Sequence, residues 1–198
     1  MGSMTTVRTF IAIELDRELK DQLRRVQDQL RAQGVTRGVR WVQPDGIHLT
    51  LKFLGDTPLE KVEEVKAALA RAATEVNPFY FSVSGLGCFP NLRQPRVVWV
   101  GLQEPTGTVV RLRDAVEAQV APLGFPTEGR PFSPHLTLGR VQRDSSKSEV
   151  RKIGEVVAAS AVGIVGEMTA KSVCLIKSDL KPGGAVYSTL FEAELKLG

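Results

Sequence analysis

Several residue patterns are missing from this sequence, and their absence removes whole classes of protein. No apolar run approaches the roughly 20 residues that span a bilayer, and the short apolar stretch from Thr9 to Leu15 reaches the charged Glu14. The two cysteines, Cys88 and Cys174, lie far apart and form no C-x-x-C pair, which favours buried free thiols over a disulfide or a redox site. We therefore expect a cytoplasmic protein with no membrane contact.

The sequence also has none of several common catalytic signatures. It contains no G-x-x-x-x-G-K-[ST] phosphate loop and no G-x-S-x-G nucleophile elbow. Two histidines and two scattered cysteines match no known zinc-ligand spacing. We therefore expect no metal and no cofactor. The net charge of +4 is compatible with a polyanionic partner but does not require one.

The 198 residues suit one globular unit. Met1–Ser3 is expected to be a cloning remnant, so that the domain covers residues 4–198. Apolar spacings of three and four predict four amphipathic helices, and β-branched segments predict the strands between them. The predicted helix faces begin at these residues: Leu19, Leu59, Val109 and Val150. Capping boxes are predicted at Thr57–Glu60 and Ser146–Glu149, and Gly34 is a predicted helix stop.

The order of these elements repeats along the chain. Strand, helix, strand, helix and strand occur once, and the same series follows with one extra strand. The predicted strands lie in these segments: 7–14, 41–54, 79–86, 96–102, 132–141, 169–177 and 185–194. This duplication predicts an α+β fold of two similar lobes, about 4–90 and 91–198, between which strands can be exchanged.

The chain's two histidines begin the same tetrapeptide in the two halves. His48-Leu49-Thr50-Leu51 and His135-Leu136-Thr137-Leu138 occupy matching strands. A lone His-x-Thr on a strand is usually a polar pair at the edge of a core, and a repeated one could be a relic of duplication. Because both histidines fall at the same place in both copies, we interpret them as functional.

Strand alternation gives the two tetrapeptides their geometry. It places His48, Thr50 and Lys52 on one face, and it places the motif leucines on the buried face. Two such strands facing each other across a cleft would bring together two imidazoles and two hydroxyls. Imidazole titrates near neutral pH, so one ring can accept a proton while the other donates one.

These motifs resemble those of the 2H phosphoesterases, and most closely the RNA 2′,3′-cyclic phosphodiesterases once called 2′-5′ RNA ligases. The resemblance covers nearly the whole chain and includes these further segments: Phe10–Leu15, Lys52–Gly55, Val97–Gly101, Arg130–Pro134 and Gly139–Arg140. It implies a bilobal fold in which two antiparallel sheets line a central, metal-free cleft and helices pack outside.

The resemblance also implies a reaction and a set of roles. The reaction is hydrolysis of a terminal 2′,3′-cyclic phosphate to a 2′-phosphomonoester. His135 would accept the proton of the attacking water, His48 would donate a proton to the leaving 3′ oxygen, and Thr50 and Thr137 would hold the non-bridging oxygens.

Four flanking residues are weaker candidates for substrate binding. Arg130 and Arg140 are cations near the second motif, although strict alternation puts Arg140 on the leucine face unless the strand ends or bulges there. Lys52 shares the histidine face by alternation but can equally be solvated. Phe10 can stack a nucleobase or pack in the core.

The partners follow from the same reasoning. We expect RNA ends or nucleotides that carry a 2′,3′-cyclic phosphate, no obligate protein partner, and a monomer. Two alternatives remain open: a cyclic phosphodiesterase or reversible 2′-5′ ligase acting on tRNA-derived or small nucleotide substrates, and a non-catalytic RNA-binding module.

Overall fold

The computed structural model describes residues 5–182 and 184–196. The expected cloning remnant, Met1–Ser3, lies outside these residues. The described residues form nine strands: β1 (Thr6–Glu14), β2 (Val39–Trp41), β3 (His48–Pro58), β4 (Phe79–Phe89), β5 (Val97–Gln103), β6 (His135–Val141), β7 (Ile164–Ala170), β8 (Ser172–Lys181) and β9 (Gly184–Glu194). They also form four α-helices: α1 (Arg17–Ala32), α2 (Val62–Ala73), α3 (Thr108–Val120) and α4 (Lys147–Ala159).

All pairings between these strands are antiparallel, and their order is β7-β4-β5-β6-β3-β1-β8-β9, with β2 added beside β6. The predicted sheets are the two halves of this array, β7-β4-β5-β6 and β3-β1-β8-β9. One residue pair, Leu49 with Leu136, joins them at the centre. The α+β architecture expected from the sequence is confirmed.

The sheet order mixes strands from both halves of the chain. The strand β4 precedes residue 90 but pairs with β5 and β7, whereas β8 and β9 follow residue 90 but extend the sheet beyond β1. The lobe boundary near residue 90 therefore remains a prediction. Each half of the sheet contains strands from both sides of this boundary.

The helices cover one face of the sheet and create the main core there. This core combines helix residues such as Leu23, Leu69 and Leu112 with the strand residues that face them. A separate small cluster lies on the opposite face and consists of Phe10, Ala12, Cys174 and Ile176, with Tyr187 packed against it. The sheet therefore has one helix-covered face and one open face.

The four motif leucines lie on the helix-covered face, as predicted. Leu49, Leu136 and Leu138 are 0% exposed and Leu51 is 5% exposed. Because strand side chains alternate between faces, burial of Leu49 and Leu136 turns the neighbouring histidines and threonines to the open face.

Three local features differ from the sequence prediction. The hydroxyl of Thr57 does not cap a helix but shares a buried 2.7 Å hydrogen bond with that of Thr9, and α2 begins after a short 3-10 turn at Leu59–Lys61. The segment expected as one strand from residue 169 is two strands that meet at Lys171, and the short β2 was not predicted. The capping box at Ser146 is confirmed.

In the described part of the chain, no helix is long and apolar enough to cross a bilayer.

Replacing Leu136 with alanine should destabilise the protein by roughly 2–5 kcal/mol, because a fully buried side chain is removed at the point where the two halves of the sheet meet. Urea denaturation measures the change. The matched control is Leu180→Ala at a leucine that is 72% exposed, which should cost far less. Equal stability of the Leu136→Ala variant and the parent would contradict the orientation of β6.

Candidate active site

The two motifs meet on the open face of the sheet. The single residue pair between β3 and β6 fixes an antiparallel register. Continued one residue in either direction, this register places His48 opposite Thr137 and His135 opposite Thr50. Residues directly opposite on neighbouring strands have Cβ atoms roughly 5 Å apart. Both imidazoles and both threonine side chains therefore face the same side of the sheet, around the point where its two halves join.

Aromatic rings hold the imidazole of His48. Phe10 stacks on it with ring centroids 4.5 Å apart, and Tyr187 meets it edge-on at 5.1 Å. The imidazole also donates a hydrogen bond to the carbonyl of Gly46. Burial lowers the pKa of His48 to about 4, and the positive charge of Lys20 acts in the same direction.

His135 is held in a similar way in the second half. Its Nδ1 lies 2.7 Å from the carbonyl oxygen of Ser133, and Phe89 meets its ring edge-on at 4.9 Å. Trp99 lies further away, at 6.4 Å. Burial lowers the pKa of His135, and the charge of Arg140 contributes to the same shift.

Both histidines therefore share one arrangement, in which the ring bonds a carbonyl two residues earlier in the chain. For His135 this bond requires a proton on Nδ1, because a carbonyl oxygen only accepts. The other ring nitrogen, Nε2, is then left to exchange a proton with a ligand. Among the residues that the structure describes, neither the Thr50 nor the Thr137 hydroxyl has a hydrogen-bond partner, so both are available to a bound phosphate.

A β-bulge follows the threonine in each motif. In β3, Ala12 pairs with Thr50 while Ile11 pairs with Lys52, so Leu51 is the extra residue. In β6 the extra residue is Leu138. Each bulge shifts the alternation of side chains between the two faces by one residue. The residue five positions after each histidine therefore points to the open face.

The bulge in β3 makes the predicted orientation of Lys52 wrong. Lys52 is 6% exposed and points into the helix-covered face. Its ammonium group lies 2.8 Å from a carboxylate oxygen of Glu117 on α3 and donates to the carbonyl of Pro126. The carboxylate of Glu117 also accepts from the backbone amide of Glu128. Lys52 thus anchors the segment that leads to the second motif and does not face the cleft.

The same bulge brings an aromatic side chain to the surface. Phe53, which strict alternation would place on the buried face, is 64% exposed, and its ring centroid lies 6.0 Å from that of Phe10. Phe10 itself is 3% exposed, because His48 covers its face. Phe10 therefore packs in the core, and its ring is not accessible to a nucleobase. Phe53 offers the exposed aromatic surface at this point.

The bulge in β6 resolves the doubt about Arg140. Val97 and Trp99 lie on one face of β5 and pair with Arg140 and Thr137 respectively, so Arg140 shares the open face with the second motif. Arg130, by contrast, is 85% exposed and forms an ion pair of 3.1 Å with Glu128. Substrate contact by either arginine remains a prediction.

Sequence reasoning missed several neighbours of the histidines. Tyr187 reaches His48 from the last strand, and no local signal indicates this long-range contact. Phe89 and Trp99 flank His135, and Trp99 lies in a segment that the resemblance included. Arg40, the cross-strand partner of Arg140, was also missed, because the short strand that carries it was not predicted. Within the described ranges, no three histidine, cysteine, aspartate or glutamate side chains converge as metal ligands would.

Acidification should destabilise the ligand-free protein through His48. The unfolded state binds this proton near pH 6.5 and the folded state only near pH 4, so the free energy of unfolding should fall as pH drops between these values. A shift of this size corresponds to about 3 kcal/mol. Denaturation at a series of pH values measures the slope. His48→Gln should flatten it, and an unchanged slope in that variant would contradict the assignment.

Comparison with known proteins identifies the family. The model of the LigT like phosphoesterases matches the chain twice, over residues 13–99 and 100–187, and each match contains one motif. The RNA 2′,3′-cyclic phosphodiesterase of Methanothermobacter thermautotrophicus is 34% identical over 93% of this chain and 96% of its own length. The enzyme of the same name from Archaeoglobus fulgidus is 33% identical over 93% and 98%.

Solved structures agree with these relatives. TT0787 of Thermus thermophilus superposes with a TM-score of 0.79 at 30% identity, covering 96% of this chain and 98% of that one. Escherichia coli LigT, crystallised with 3′-AMP, superposes with a TM-score of 0.76 at 25% identity over 96% and 98%. The resemblance to the 2H phosphoesterases is confirmed, and the chain belongs to the LigT like phosphoesterase family.

Proposed function

We propose that this protein hydrolyses the terminal 2′,3′-cyclic phosphate of RNA to a 2′-phosphomonoester by a metal-independent mechanism with two histidines. The supporting observation is the pairing of Leu49 with Leu136, which turns the histidine and the threonine of both motifs to the same open face. The names of the archaeal relatives and the 3′-AMP in the E. coli LigT structure support the same class of substrate.

The reaction is an in-line displacement at phosphorus. His135 accepts a proton from water, whose oxygen forms a new bond to phosphorus. The bond from phosphorus to the 3′ oxygen breaks, and His48 donates a proton to that oxygen. The enzyme loses one proton at His48 and gains one at His135, and exchange with water restores both. The net change is addition of one water across the P–O3′ bond.

The threonine hydroxyls suit the negative charge that develops on the phosphoryl oxygens. Each hydroxyl can donate one hydrogen bond, and neither is occupied by a protein partner in the described structure. Donors that are already oriented toward the developing charge stabilise the transition state without reorganisation. Thr50 and Thr137 therefore complete a site with one acid, one base and two donors.

The lowered pKa values bear on the two roles differently. A base must be neutral, and burial and the charge of Arg140 both lower the pKa of His135, which favours its neutral form. An acid must be protonated, whereas burial favours neutral His48 in the free protein. A bound phosphate anion raises the pKa of a nearby imidazole, because it stabilises the imidazolium. We therefore assign protonation of His48 to the substrate complex.

Product analysis on a short RNA ending in 2′,3′-cyclic phosphate tests the proposal. The expected product is the 2′-phosphate, formed equally well with excess chelator, because imidazoles perform both proton transfers. Loss of activity on chelation that one added metal restores would contradict the metal-independent mechanism. Binding without opening the ring would indicate an RNA-binding module, and joining of a 5′-hydroxyl end would indicate a ligase.

His48→Ala and His135→Ala should each lower turnover by roughly 10²–10⁴-fold while the fold is retained, because each removes one proton transfer. The double variant should be little worse than either, since the two groups act in one transition state. The wild-type pH–rate profile should be bell-shaped, and each variant should lose one limb. Circular dichroism provides the folding control.

A substrate with a better 3′ leaving group separates the two roles. It should partly restore the His48→Ala variant, which lacks the acid, and should help His135→Ala much less. Rescue of His135→Ala instead would reverse the roles. Turnover close to wild type in either variant would refute the two-histidine mechanism.

A further inference from the structure

A lysine on the first helix contacts the turn that precedes the first motif. Lys20 lies in α1, and its side chain is 16% exposed. Its ammonium group donates to the backbone carbonyl of Asp45 at 3.2 Å and to a carboxylate oxygen of Glu14, also at 3.2 Å. Lys20 therefore connects α1 with the end of β1 and with the turn that leads into β3.

This turn carries the acceptor that orients His48. Residues Pro44–Gly46 form one turn of 3-10 helix, and the carbonyl of Gly46 accepts the hydrogen bond of the His48 ring. Asp45, whose carbonyl Lys20 holds, directly precedes Gly46. Peptide units are planar, so only the two soft dihedrals of Gly46 separate the held carbonyl from the acceptor carbonyl. A contact that fixes the first carbonyl therefore restrains the second.

The core does not fix the turn by itself. The chain is anchored just after it at Ile47, which is 1% exposed, but none of the three turn residues is buried. Tyr187 lies against Gly46, where an added Cβ would come within 3.0 Å of its ring. Segments with few buried apolar contacts open most easily, so the hydrogen bond from Lys20 bears directly on where the acceptor carbonyl stands.

The second acceptor of Lys20 also lies beside the acid. Glu14 is the direct antiparallel partner of His48, and partners on neighbouring strands share one face of the sheet. An uncompensated carboxylate at this position would repel the phosphate anion of the proposed substrate. Lys20 forms an ion pair with it and so compensates its charge.

A related contact occurs in the second half. Lys52 also binds one carboxylate and one backbone carbonyl, that of Pro126. The segment after Pro126 leads to Ser133, whose carbonyl bonds the ring of His135. In both halves, a lysine therefore anchors the segment that supplies the carbonyl for the histidine, and Lys20 does so immediately beside that carbonyl.

We propose that Lys20 is a positioning residue for His48, because it fixes the turn whose carbonyl holds the imidazole and thereby directs the other ring nitrogen toward the leaving 3′ oxygen. Lys20 acts through the turn and through Glu14. This inference rests on the proposed function for the role of His48 as acid, whereas the orientation of the ring can be measured in the free protein.

The tautomer of His48 tests the proposal. The chain has two histidines, so long-range ¹H–¹⁵N spectra resolve both rings and show which nitrogen carries the proton. Burial lowers the pKa of His48 to about 4, so the ring is neutral at neutral pH. Lys20→Met keeps the aliphatic stem but loses both hydrogen bonds. It should change the tautomer ratio of His48 about five- to ten-fold and leave that of His135 unchanged.

Turnover gives a second measurement. Lys20→Met should lower kcat by about ten- to a hundred-fold, the range expected when a reacting group is slightly misplaced, and should change KM much less. A substrate with a better 3′ leaving group should reduce this defect, because it depends less on the acid. A general loss of structure would not be relieved by the leaving group.

Three further variants serve as controls. Lys66→Met removes a lysine of the same kind from α2, where it pairs with Glu63, and should leave both rings unchanged. Lys20→Arg keeps the charge and the donors and should retain the wild-type tautomer. Lys20→Gln is too short to reach both acceptors and replaces Lys20→Met if that variant does not fold, as judged by circular dichroism.

An unchanged tautomer ratio in a folded Lys20→Met or Lys20→Gln protein would overturn the proposal, as would an altered ratio with wild-type turnover. The outcome is separable from that of the proposed function. A protein that opens no cyclic phosphate would refute the hydrolysis proposal, yet the spectra of the free protein would still decide whether Lys20 orients His48.

Discussion

The contact between Leu49 and Leu136 is the constraint on which the site depends. It is the one residue pair through which β3 and β6 join the two halves of the described sheet. Both leucines are fully buried under the helices, so the main core fixes the register as well as the orientation of both motifs. Because successive strand residues point to opposite faces, the same burial forces the flanking histidines outward. Core packing and the geometry of the candidate active site are thus set by one interaction.

The two bulges make the duplicated halves chemically different. Each β-bulge adds one unpaired residue after the motif threonine. The next side chain on the open face is therefore Phe53 in the first half and Arg140 in the second. On the helix-covered face, Lys52 in the first copy corresponds to Gly139 in the second, because each lies four residues after its histidine. A side chain at Gly139 would collide with Val39 and Trp41, so glycine allows β2 to approach β6, where Arg40 pairs with Arg140. An almost symmetric fold therefore presents an aromatic surface on one side and cations on the other.

These features explain how far the sequence could be interpreted. Apolar spacing identified the four described helices, and the repeated tetrapeptide identified the two strands that carry the histidines and their buried leucines. The bulges could not be predicted, because alternation assumes one residue per position and the extra leucine looks like any other strand residue. Lys52 was therefore assigned to the wrong face. Thr57 has the local signature of a helix cap, but a buried hydrogen bond to Thr9, distant in sequence, outweighs that preference. Tyr187 reaches His48 only through sheet order, which the sequence does not encode locally.

The environment of the histidines links binding to chemistry. Aromatic packing and a carbonyl acceptor fix each ring, and burial lowers the pKa of both rings and so favours their neutral form in the free protein. A neutral pair can supply a base but no acid. A phosphate anion bound between them would favour the protonated form of one ring, because its charge stabilises an imidazolium. In the proposed reaction, the proton needed by the leaving oxygen would then be held at His48 only while substrate is present. The rings of Phe10 and Tyr187 bury His48 and disfavour its charged form in the free protein. Protonation of His48 would therefore depend on the negative charge of the bound substrate.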